Sequence, residues 1–382
     1  VIKALVIRDE TLLHHDEVQV ALSVEDLLHG HLAAAVFLHI ALGDPVSGDA
    51  IAVFGSNETT GIECTFAGEG KFQVNGDKVV EGPFYAIYPH KEGHSVDQNT
   101  GIFTATVPAE QLIKAGQNTA AGALVAVAAS ETPEFYFRNA VGLIRIENKR
   151  EDIVSIKIES TNAEQMLAGT FTMDLNPDKD AEDEAPAVTP STEGGSASVT
   201  LKSAEENGVL ASGVYYAAIL PGKIAGIKVT FTRKNGEKTE TATVTKQQAA
   251  TIERNGGANL GAFFSYEIKN AQELLAWNKG CAKWTSWDVV KLMADIDCSE
   301  DPKISTDWKV SEKVFEGTFD GNNKTITGLN DMLFAGTWAG GSGLIINDLT
   351  IKNSTIENDV DDTTKKTGVG AFIGFLPGAG GT

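Results

Sequence analysis

The chain has 382 residues, and its 31 Lys and Arg against 52 Asp and Glu give a formal net charge of −21. A domain usually has roughly 100–200 residues, so this length predicts two or three hydrophobic cores. The acidity argues against a nucleic-acid-binding protein, because phosphate contacts need clustered Lys and Arg. It also argues against a basic patch that docks to an anionic membrane. No stretch reaches the roughly 18 apolar residues that a membrane helix needs.

Residues 1–48 form an N-terminal segment to which the sequence assigns no role. The alternation over Val18–Val24 predicts a strand, and Ser23 followed by Asp26 predicts the start of a helix that runs toward Ile40. No Lys/Arg-rich start or small-residue cleavage site is present, so no signal peptide is expected within the chain. Five of the seven His lie here, and we favour surface histidines over a metal site because their spacing does not suit a helix. They are His14, His15, His29, His31 and His39.

Residues 49–134 are predicted to form a first antiparallel β-sandwich. Short β-rich runs alternate with Gly, Asn and Asp turns, without a long helical period. The last predicted strand is a continuous apolar run, as expected for a strand that is buried on both faces. The predicted strands are Ile51–Phe54, Ile62–Phe66, Lys71–Val74, Phe84–Tyr88, Gly101–Val107 and Leu124–Ala128.

Residues 135–265 are predicted to form a second β-sandwich. Asn235-Gly236 predicts a type I′ hairpin turn, which needs positive φ at both central residues. Residues 174–195 predict an exposed acidic loop. The loop lacks the Gly and Glu of an EF-hand, so we favour a solvated loop over a calcium site. The predicted strands are Ala140–Glu147, Ile153–Glu159, Val199–Leu201, Val214–Leu220, Ile227–Thr232 and Glu240–Val244.

Residues 266–382 are predicted to form a third domain, a short parallel β-helix-like unit. Asn270 and Glu273 predict a capping box at the start of a helix over Ala271–Trp277. A Gly-x-apolar rhythm then recurs, as expected for stacked coils that each bury one apolar row. The predicted strands are Val289–Met293, Phe315–Phe319, Lys324–Leu329, Leu344–Ile346, Leu349–Ile351 and Val369–Ile373.

Catalytic signatures are absent from the sequence. Ser342 follows two Gly but does not have the Gly-x-Ser-x-Gly spacing of a hydrolase elbow, and no phosphate-binding Gly-rich loop is present. His90 and His94 are four residues apart but flank a turn at Gly93, so we favour surface histidines there as well. We therefore predict a protein that is not an enzyme and that holds no cofactor and no metal.

Two groups of residues in the third domain are candidate sites. Cys281 and Cys298 flank one short segment, and a disulfide between them would stabilise the fold by about 3 kcal/mol. Cys64 is more easily explained as a small buried hydrophobe than as a nucleophile. All five Trp lie in this domain, and two interpretations stay open for them, a ligand-binding surface and plugs at the ends of a β-helix. They are Trp277, Trp284, Trp287, Trp308 and Trp338.

Residues 50–265 resemble the fimbrillin family of the Bacteroidetes. The resemblance lies in FYAIYPHKEG (84–93), GIFTATVPAEQ (101–111), FRNAVGLIRIE (137–147), IVSIKIES (153–160) and YYAAILPG (215–222). It implies two transthyretin-like β-sandwich domains, export as a lipoprotein precursor and display on the outer membrane. It also implies assembly by donor-strand exchange, in which a protease removes the N-terminal strand after a basic residue and another strand refills the groove. Arg8 is the only Arg in the N-terminal segment, and the sequence does not identify it as a cleavage site.

Residues 266–375 resemble a Gly-rich, GLUG-like β-helix repeat found in surface proteins. The match runs from Phe315 to Leu329 (FEGTFDGNNKTITGL), with VKLMADIDCS (290–299) before it and NDLTIKNSTI (347–356) after it. This resemblance implies an extracellular adhesive module.

Together these features predict an all-β, non-enzymatic adhesion protein of the cell surface, either a fimbrial tip or accessory subunit or a surface lipoprotein. The expected partners are a host or bacterial surface ligand, a glycan or a protein, and other fimbrial subunits. The alternative is a carbohydrate-binding or carbohydrate-active β-helix protein, for which Asp295 and Asp297 are the only close carboxylate pair. Hydrolysis would require two such carboxylates about 5–9 Å apart.

Overall fold

The computed structural model describes part of the chain: residues 5–8, 49–56, 58–68, 71–74, 80–132, 134–174, 188–191, 193–280, 286–299, 315, 317–329, 333–334 and 344–354. This part is nearly all β, with one α-helix, as the sequence predicts. The fold divides into unit 1 (Val1–Gly261) and unit 2 (Ala262–Thr382). The predicted strand Val18–Val24, the helix toward Ile40, most of the acidic loop and the predicted strand Val369–Ile373 lie outside the described residues.

Unit 1 consists of short strands. In chain order they are β1 (Leu5–Arg8), β2 (Ala50–Gly55), β3 (Glu58–Gly68), β4 (Lys71–Val74), β5 (Phe84–Tyr88), β6 (Ser95–Asp97), β7 (Ile102–Val107), β8 (Glu110–Ile113), β9 (Ala126–Ser130), β10 (Glu134–Tyr136), β11 (Arg138–Asn139), β12 (Gly142–Asn148), β13 (Ile153–Ser160), β14 (Gly169–Asp174), β15 (Val188–Pro190), β16 (Ser198–Ser203), β17 (Gly213–Ile219), β18 (Gly222–Ile224), β19 (Ile227–Asn235), β20 (Lys238–Lys246), β21 (Ala250–Ile252) and β22 (Gly257–Phe263).

These strands form four main sheets and one two-stranded pair, β18-β21. Sheet I has the order β10-β1-β4-β3-β2-β5-β9-β11, and sheet II the order β15-β14-β7-β6. Sheet III has the order β20-β19-β13-β16-β8, and sheet IV the order β17-β12-β22. β7 pairs with β14, and β8 pairs with β16. Strands from either side of the predicted boundary between residues 134 and 135 therefore share sheets.

The core of unit 1 follows from strand alternation. In β13 the buried residues Ile153, Ile156 and Ile158 share the strand with more exposed polar neighbours. Burying such a side chain contributes about 1.5–3 kcal/mol. Sheets I and II contact each other through an edge-on pair of rings, Tyr85 and Phe103, whose centroids are 5.8 Å apart. The regular in–out pattern thus supplies the apolar faces that hold the sheets together.

Two local predictions in unit 1 differ from the structure. The strand predicted to begin at Leu124 begins at Ala126, because the 3₁₀ turn Ala121–Ala123 comes directly before it. The hairpin between β19 and β20 is confirmed, but its two loop residues are Gly236 and Glu237, since Asn235 pairs with Lys238. Only Gly236 has a positive φ there, 63°, so glycine occupies the first central position of the turn.

Unit 2 is built from parallel strands that lie in register. They are β23 (Ser265–Ile268), β24 (Val289–Leu292), β25 (Ile296–Asp297), β26 (Thr318–Thr327) and β27 (Ile345–Lys352). Tyr266, Val290, Phe319 and Ile346 form one column, and Ile296, Ile326 and Ile351 form a second column. Both columns belong to the core of the unit or pack against it. The two strands predicted at Phe315–Phe319 and Lys324–Leu329 are parts of the single strand β26.

The helix of unit 2, α1 (Ala271–Gly280), begins where the sequence predicts. The side chain of Asn270 accepts a hydrogen bond from the Glu273 N–H at 2.9 Å. The Glu273 carboxylate accepts one from the Lys269 N–H at 2.7 Å, one residue before the position expected for a capping box. The helix places Leu274 and Trp277 in the core.

Candidate functional site

The N-terminal strand β1 lies inside sheet I, between β4 and β10. It runs antiparallel to β4, with Leu5 opposite Phe72. It runs parallel to β10, with Ile7 opposite Phe135. We call the space between β4 and β10 the β1 groove. A strand in this position covers one backbone edge of each neighbour, and those edges would otherwise carry unpaired N–H and C=O groups.

Buried aromatic side chains line the β1 groove. Phe72 of β4 and Phe135 of β10 are each 0% exposed and belong to the same hydrophobic cluster as Cys64. Phe72 contacts Phe66 with ring centroids 5.5 Å apart, and Phe135 contacts Phe137 at 6.1 Å. The core of sheet I therefore reaches the residues directly opposite β1. Loss of β1 would bring two backbone edges and this aromatic cluster close to water.

Arg8 is the last residue of β1, opposite Tyr136 of β10. The next described residue is Asp49. A chain break directly after Arg8 would therefore separate the whole of β1 from the rest of sheet I. The strand was not predicted from the sequence, although the three residues before the Arg are apolar and two of them, Val6 and Ile7, are β-branched.

The carboxylates of Asp295 and Asp297 both accept backbone hydrogen bonds in unit 2. Asp295 accepts a hydrogen bond from the Thr325 N–H at 2.8 Å, which ties the segment between β24 and β25 to β26. Asp297 accepts bonds from the Ser299 N–H at 2.9 Å and from the Ser299 hydroxyl at 2.6 Å. These bonds favour the charged form and lower the pKa of Asp297. A general acid needs a raised pKa, so this environment does not suit Asp297 for that role.

Close approach between β26 and β27 explains the glycine at position 321. A Cβ built on Gly321 would lie 2.5 Å from the Asp348 carbonyl oxygen and 2.5 Å from the Leu349 Cα. Asn322 and Asn323 follow with φ of 50° and 57°, a conformation that Asn tolerates better than most residues. The Asp320 carboxylate accepts a hydrogen bond from the Asn322 N–H at 2.8 Å. The motif Asp320-Gly321-Asn322-Asn323 is thus an irregular stretch within β26, and the Asn322 side chain also donates a hydrogen bond to the Leu292 carbonyl of β24 at 3.0 Å.

The structure describes two of the five Trp predicted as ligand-binding residues, and both are buried. Trp277 is 2% exposed and packs edge-on against Phe315 and Phe334. Trp287 is 5% exposed and contacts Phe264 with centroids 5.5 Å apart. These two side chains have a packing role. Trp284, Trp308 and Trp338 lie outside the described residues, and ligand binding stays a prediction.

The predicted disulfide also stays a prediction, because Cys281 lies outside the described residues. Cys298 is buried in the core of unit 2. Cys64 is 0% exposed, which confirms its interpretation as a small buried hydrophobe. Burial, with a smaller contribution from the charge of Glu63, raises the pKa of Cys64 to about 12. A thiol with that pKa is a poor nucleophile at neutral pH.

His94 is buried, so its predicted place on the surface is wrong. Its side chain is 8% exposed, and its Nε2 accepts a hydrogen bond from the Thr106 N–H at 3.4 Å. Burial, with a smaller contribution from the charge of Lys91, lowers the pKa of His94 to about 4. His90, in contrast, keeps a partly exposed side chain 3.8 Å from Glu63. The spacing of His90 and His94 does not distinguish the buried residue from the exposed one, because the direction of each side chain depends on the sheet that packs against the turn.

The described residues contain no group of three or more His, Cys, Asp or Glu arranged to hold a metal ion. No helix in the described part of the chain is long and apolar enough to cross a membrane.

No family model and no curated protein matches this chain. Among solved structures, it is similar to two proteins each named "putative cell adhesion protein". One, from Bacteroides thetaiotaomicron, is 13% identical over 69% of this chain and 92% of its own, with a TM-score of 0.31. The other, from Bacteroides uniformis, is 13% identical over 53% of this chain and 92% of its own, with a TM-score of 0.32.

A fimbrial protein from Bacteroides ovatus is also 13% identical, over 57% of this chain and 46% of its own, with a TM-score of 0.26. TM-scores this low do not establish a common fold, so these similarities assign neither a fold nor a function to this chain.

Proposed function

We propose that this chain is a non-enzymatic cell-surface adhesion protein, either a fimbrial tip or accessory subunit or a surface lipoprotein. On this proposal its N-terminal strand is the exchangeable element through which it joins other subunits. The observation that carries the proposal is the position of β1 between β4 and β10, second from one border of sheet I. An inner strand that comes from a distant part of the sequence can be replaced by a strand of another chain, because main-chain hydrogen bonds to both neighbours give the affinity.

The position of Arg8 supports the strand-exchange step. The resemblance to fimbrillins implies cleavage after a basic residue, and Arg8 ends β1. Cleavage there would empty the β1 groove without cutting β4 or β10. The exposed edges and the cluster around Phe72 and Phe135 would then favour uptake of a new strand.

The parallel columns of unit 2 support its assignment as a short β-helix of the GLUG-like type, following two fimbrillin-like, transthyretin-like sandwiches. Consecutive residues pair one to one, without a shift in register, from β23 to β24 and from β24 to β26. On this proposal unit 2 presents the ligand-binding surface, and the expected ligand is a glycan or protein of a host or bacterial surface. The proposed location is the outer membrane, after export as a lipoprotein precursor.

Removal of residues 1–8 tests the strand-exchange proposal. We expect a chain that begins at Asp9 to bind an added peptide with the sequence of residues 1–8, measured by the fluorescence anisotropy of the labelled peptide. The intact chain, whose own β1 fills the groove, should bind this peptide much more weakly. The control peptide carries Val6→Pro, which removes one N–H and should also bind much more weakly. If the shortened chain does not bind the peptide, the proposal is wrong.

A glycan array combined with polysaccharide hydrolysis assays tests the adhesion role. We expect the full chain to bind immobilised surface glycans or proteins without turnover. Hydrolysis that Asp295→Asn abolishes would replace the adhesion role with the enzymatic alternative.

A further inference from the structure

The hairpin strand β20 forms one border of sheet III. Within the described part of the chain, β19 pairs with one side of β20 and no strand pairs with the other side. β20 is nine residues long and keeps nine consecutive pairs with β19 without a bulge. Long, regular edges of this kind favour pairing with another chain.

Several other sheet borders of unit 1 are short or protected. β8, at the opposite border of sheet III, has four residues and follows Pro108. β15 has three residues and ends in Pro190. β17 is partly covered, because Gln111 exchanges hydrogen bonds with the backbone of Ala218. β20 has neither a proline nor a bulge, and its length sets it apart from these borders.

Hairpin geometry shows which backbone groups face the open side of β20. Asn235 and Lys238 close a two-residue turn, and the closing pair of such a turn exchanges both of its main-chain hydrogen bonds. Bonded and non-bonded pairs alternate from there along the hairpin. The residues that direct their N–H and C=O groups away from β19 are therefore Thr239, Thr241, Thr243 and Thr245.

The two faces of β20 differ in chemistry. Ala242 is buried and Val244 is half-buried on the core face, opposite Phe231 and Val229. The Thr side chains are on the outer face, where the Thr243 hydroxyl lies 3.0 Å from the Thr230 hydroxyl. Glu240 and Lys246 share the core face with Ala242, near opposite ends of the strand. A second strand at this edge must match an apolar centre, two opposite charges and a row of hydroxyls.

We propose that a second copy of this chain binds at this edge, with the two β20 strands antiparallel and Thr243 opposite its own counterpart. In this register Ala242 faces Val244 of the partner subunit, and Thr241 faces the partner's Thr245. Glu240 faces the partner's Lys246, and symmetry repeats each contact. Apolar, hydroxyl and charged side chains all meet their complements, as an isologous two-fold interface requires.

The neighbouring register lacks this match. Shifting the partner by two residues, so that Ala242 faces its own counterpart, places Lys238 opposite the partner's Lys246. Glu240 then faces the partner's Val244, so a charge lies against an apolar side chain. A one-residue shift turns the core face of one copy toward the outer face of the other. Charge complementarity therefore favours the register centred on Thr243 over this one.

A pair of substitutions at Thr243 tests the edge itself. Thr243→Pro removes an N–H on the open side and no hydrogen bond to β19, which is where an edge strand tolerates proline. Thr243→Val keeps that N–H, and both variants lose the contact with Thr230. By sedimentation over the micromolar range, we expect wild type and Thr243→Val to dimerise and Thr243→Pro to remain monomeric. A monomeric wild type, or a dimeric Thr243→Pro, would overturn the proposal.

A charge exchange tests the register. Glu240→Lys or Lys246→Glu alone places like charges at both ends of the interface and should weaken dimerisation about tenfold or more. Mixing the two variants restores opposite charges at both ends, so a heterodimer should form. Because a heterodimer requires both variants to be folded, this result separates the interface from the loss of the Glu240 contact with Arg233. If the mixture associates no better than either variant alone, the register is wrong.

Discussion

At the residue scale, the buried imidazole of His94 makes the stability of the folded chain depend on pH. The pKa of His94 is about 4 in the folded chain, against an ordinary value of 6.5. Between these values the unfolded state binds the proton and the folded state does not, so protonation favours unfolding. The stability that neutral His94 maintains is present above pH 6.5 and is lost as the pH falls toward 4.

We therefore expect His94→Gln to reduce acid sensitivity. In wild type, lowering the pH from 7 to 4 should cost on the order of 3 kcal/mol through this group alone. The free energy of unfolding, measured by denaturant titration at both pH values, should fall less in the variant. His90→Gln removes the partly exposed histidine of the same turn and is the matched control. Equal losses in His94→Gln and wild type would show that His94 does not titrate in this way.

A second residue-scale prediction concerns Asn148, which is 0% exposed. Its Nδ2 group donates to the carbonyls of Leu210 and Ala211 at 2.9 and 3.0 Å, and its Oδ1 accepts from the Arg150 N–H. Asn148→Asp would place a carboxylate against these carbonyl oxygens. We expect a loss of about 2–4 kcal/mol in the free energy of unfolding at pH 7. At low pH, where the carboxyl is protonated, the variant should regain part of this free energy of unfolding. An unchanged free energy of unfolding at pH 7 would contradict the hydrogen bonds described for Asn148.

At the element scale, Gly321 sets how closely β26 and β27 approach. Gly321→Ala would push a Cβ against backbone atoms of β27, and overpacking of this kind costs about 1–3 kcal/mol. Gly122→Ala is the control, because a Cβ there meets nothing within 4 Å. Thermal unfolding should show a lower midpoint for the first variant and almost no change for the second. Equal midpoints would mean that β26 and β27 can move apart at little cost in free energy.

The elements that the sequence predicts well are those whose pattern is local. β13 and β5 follow directly from alternation or from a β-rich run between turns. The start of α1 follows from Asn270 and Glu273, whose side chains bond to nearby backbone. What the sequence does not give is long-range pairing. β1 has four residues, and its insertion between β4 and β10 depends on contacts with residues more than 60 positions away.

The candidate site shows the same limit. The groove around Phe72 and Phe135 forms only when distant strands come together, so no local motif indicates it. The burial of Trp277 and His94 is likewise a property of the packed fold. Neither the concentration of Trp in the last third of the chain nor the His spacing determines it.

At the scale of the whole molecule, the division at Gly261 predicts separate responses to perturbation. All five Trp lie in unit 2, so Trp emission reports its unfolding. Thiol labelling of Cys64, which is buried in unit 1, reports the unfolding of unit 1. In Gly321→Ala we expect the Trp transition to move to lower denaturant while the Cys64 labelling midpoint stays constant. Joint movement of both midpoints would indicate one cooperative fold.

The central claim is that the β1 groove accepts a strand from outside the chain. The direct measurement is disulfide capture in a chain that begins at Asp9 and carries Lys71→Cys, mixed with a peptide of residues 1–8 that carries Val6→Cys. Val6 lies opposite Lys71 in the intact chain, and directly opposite strand residues are close enough for a disulfide. We expect rapid capture with Lys71→Cys and slow capture with Glu92→Cys, an exposed control position. Equal rates at the two positions would contradict strand uptake.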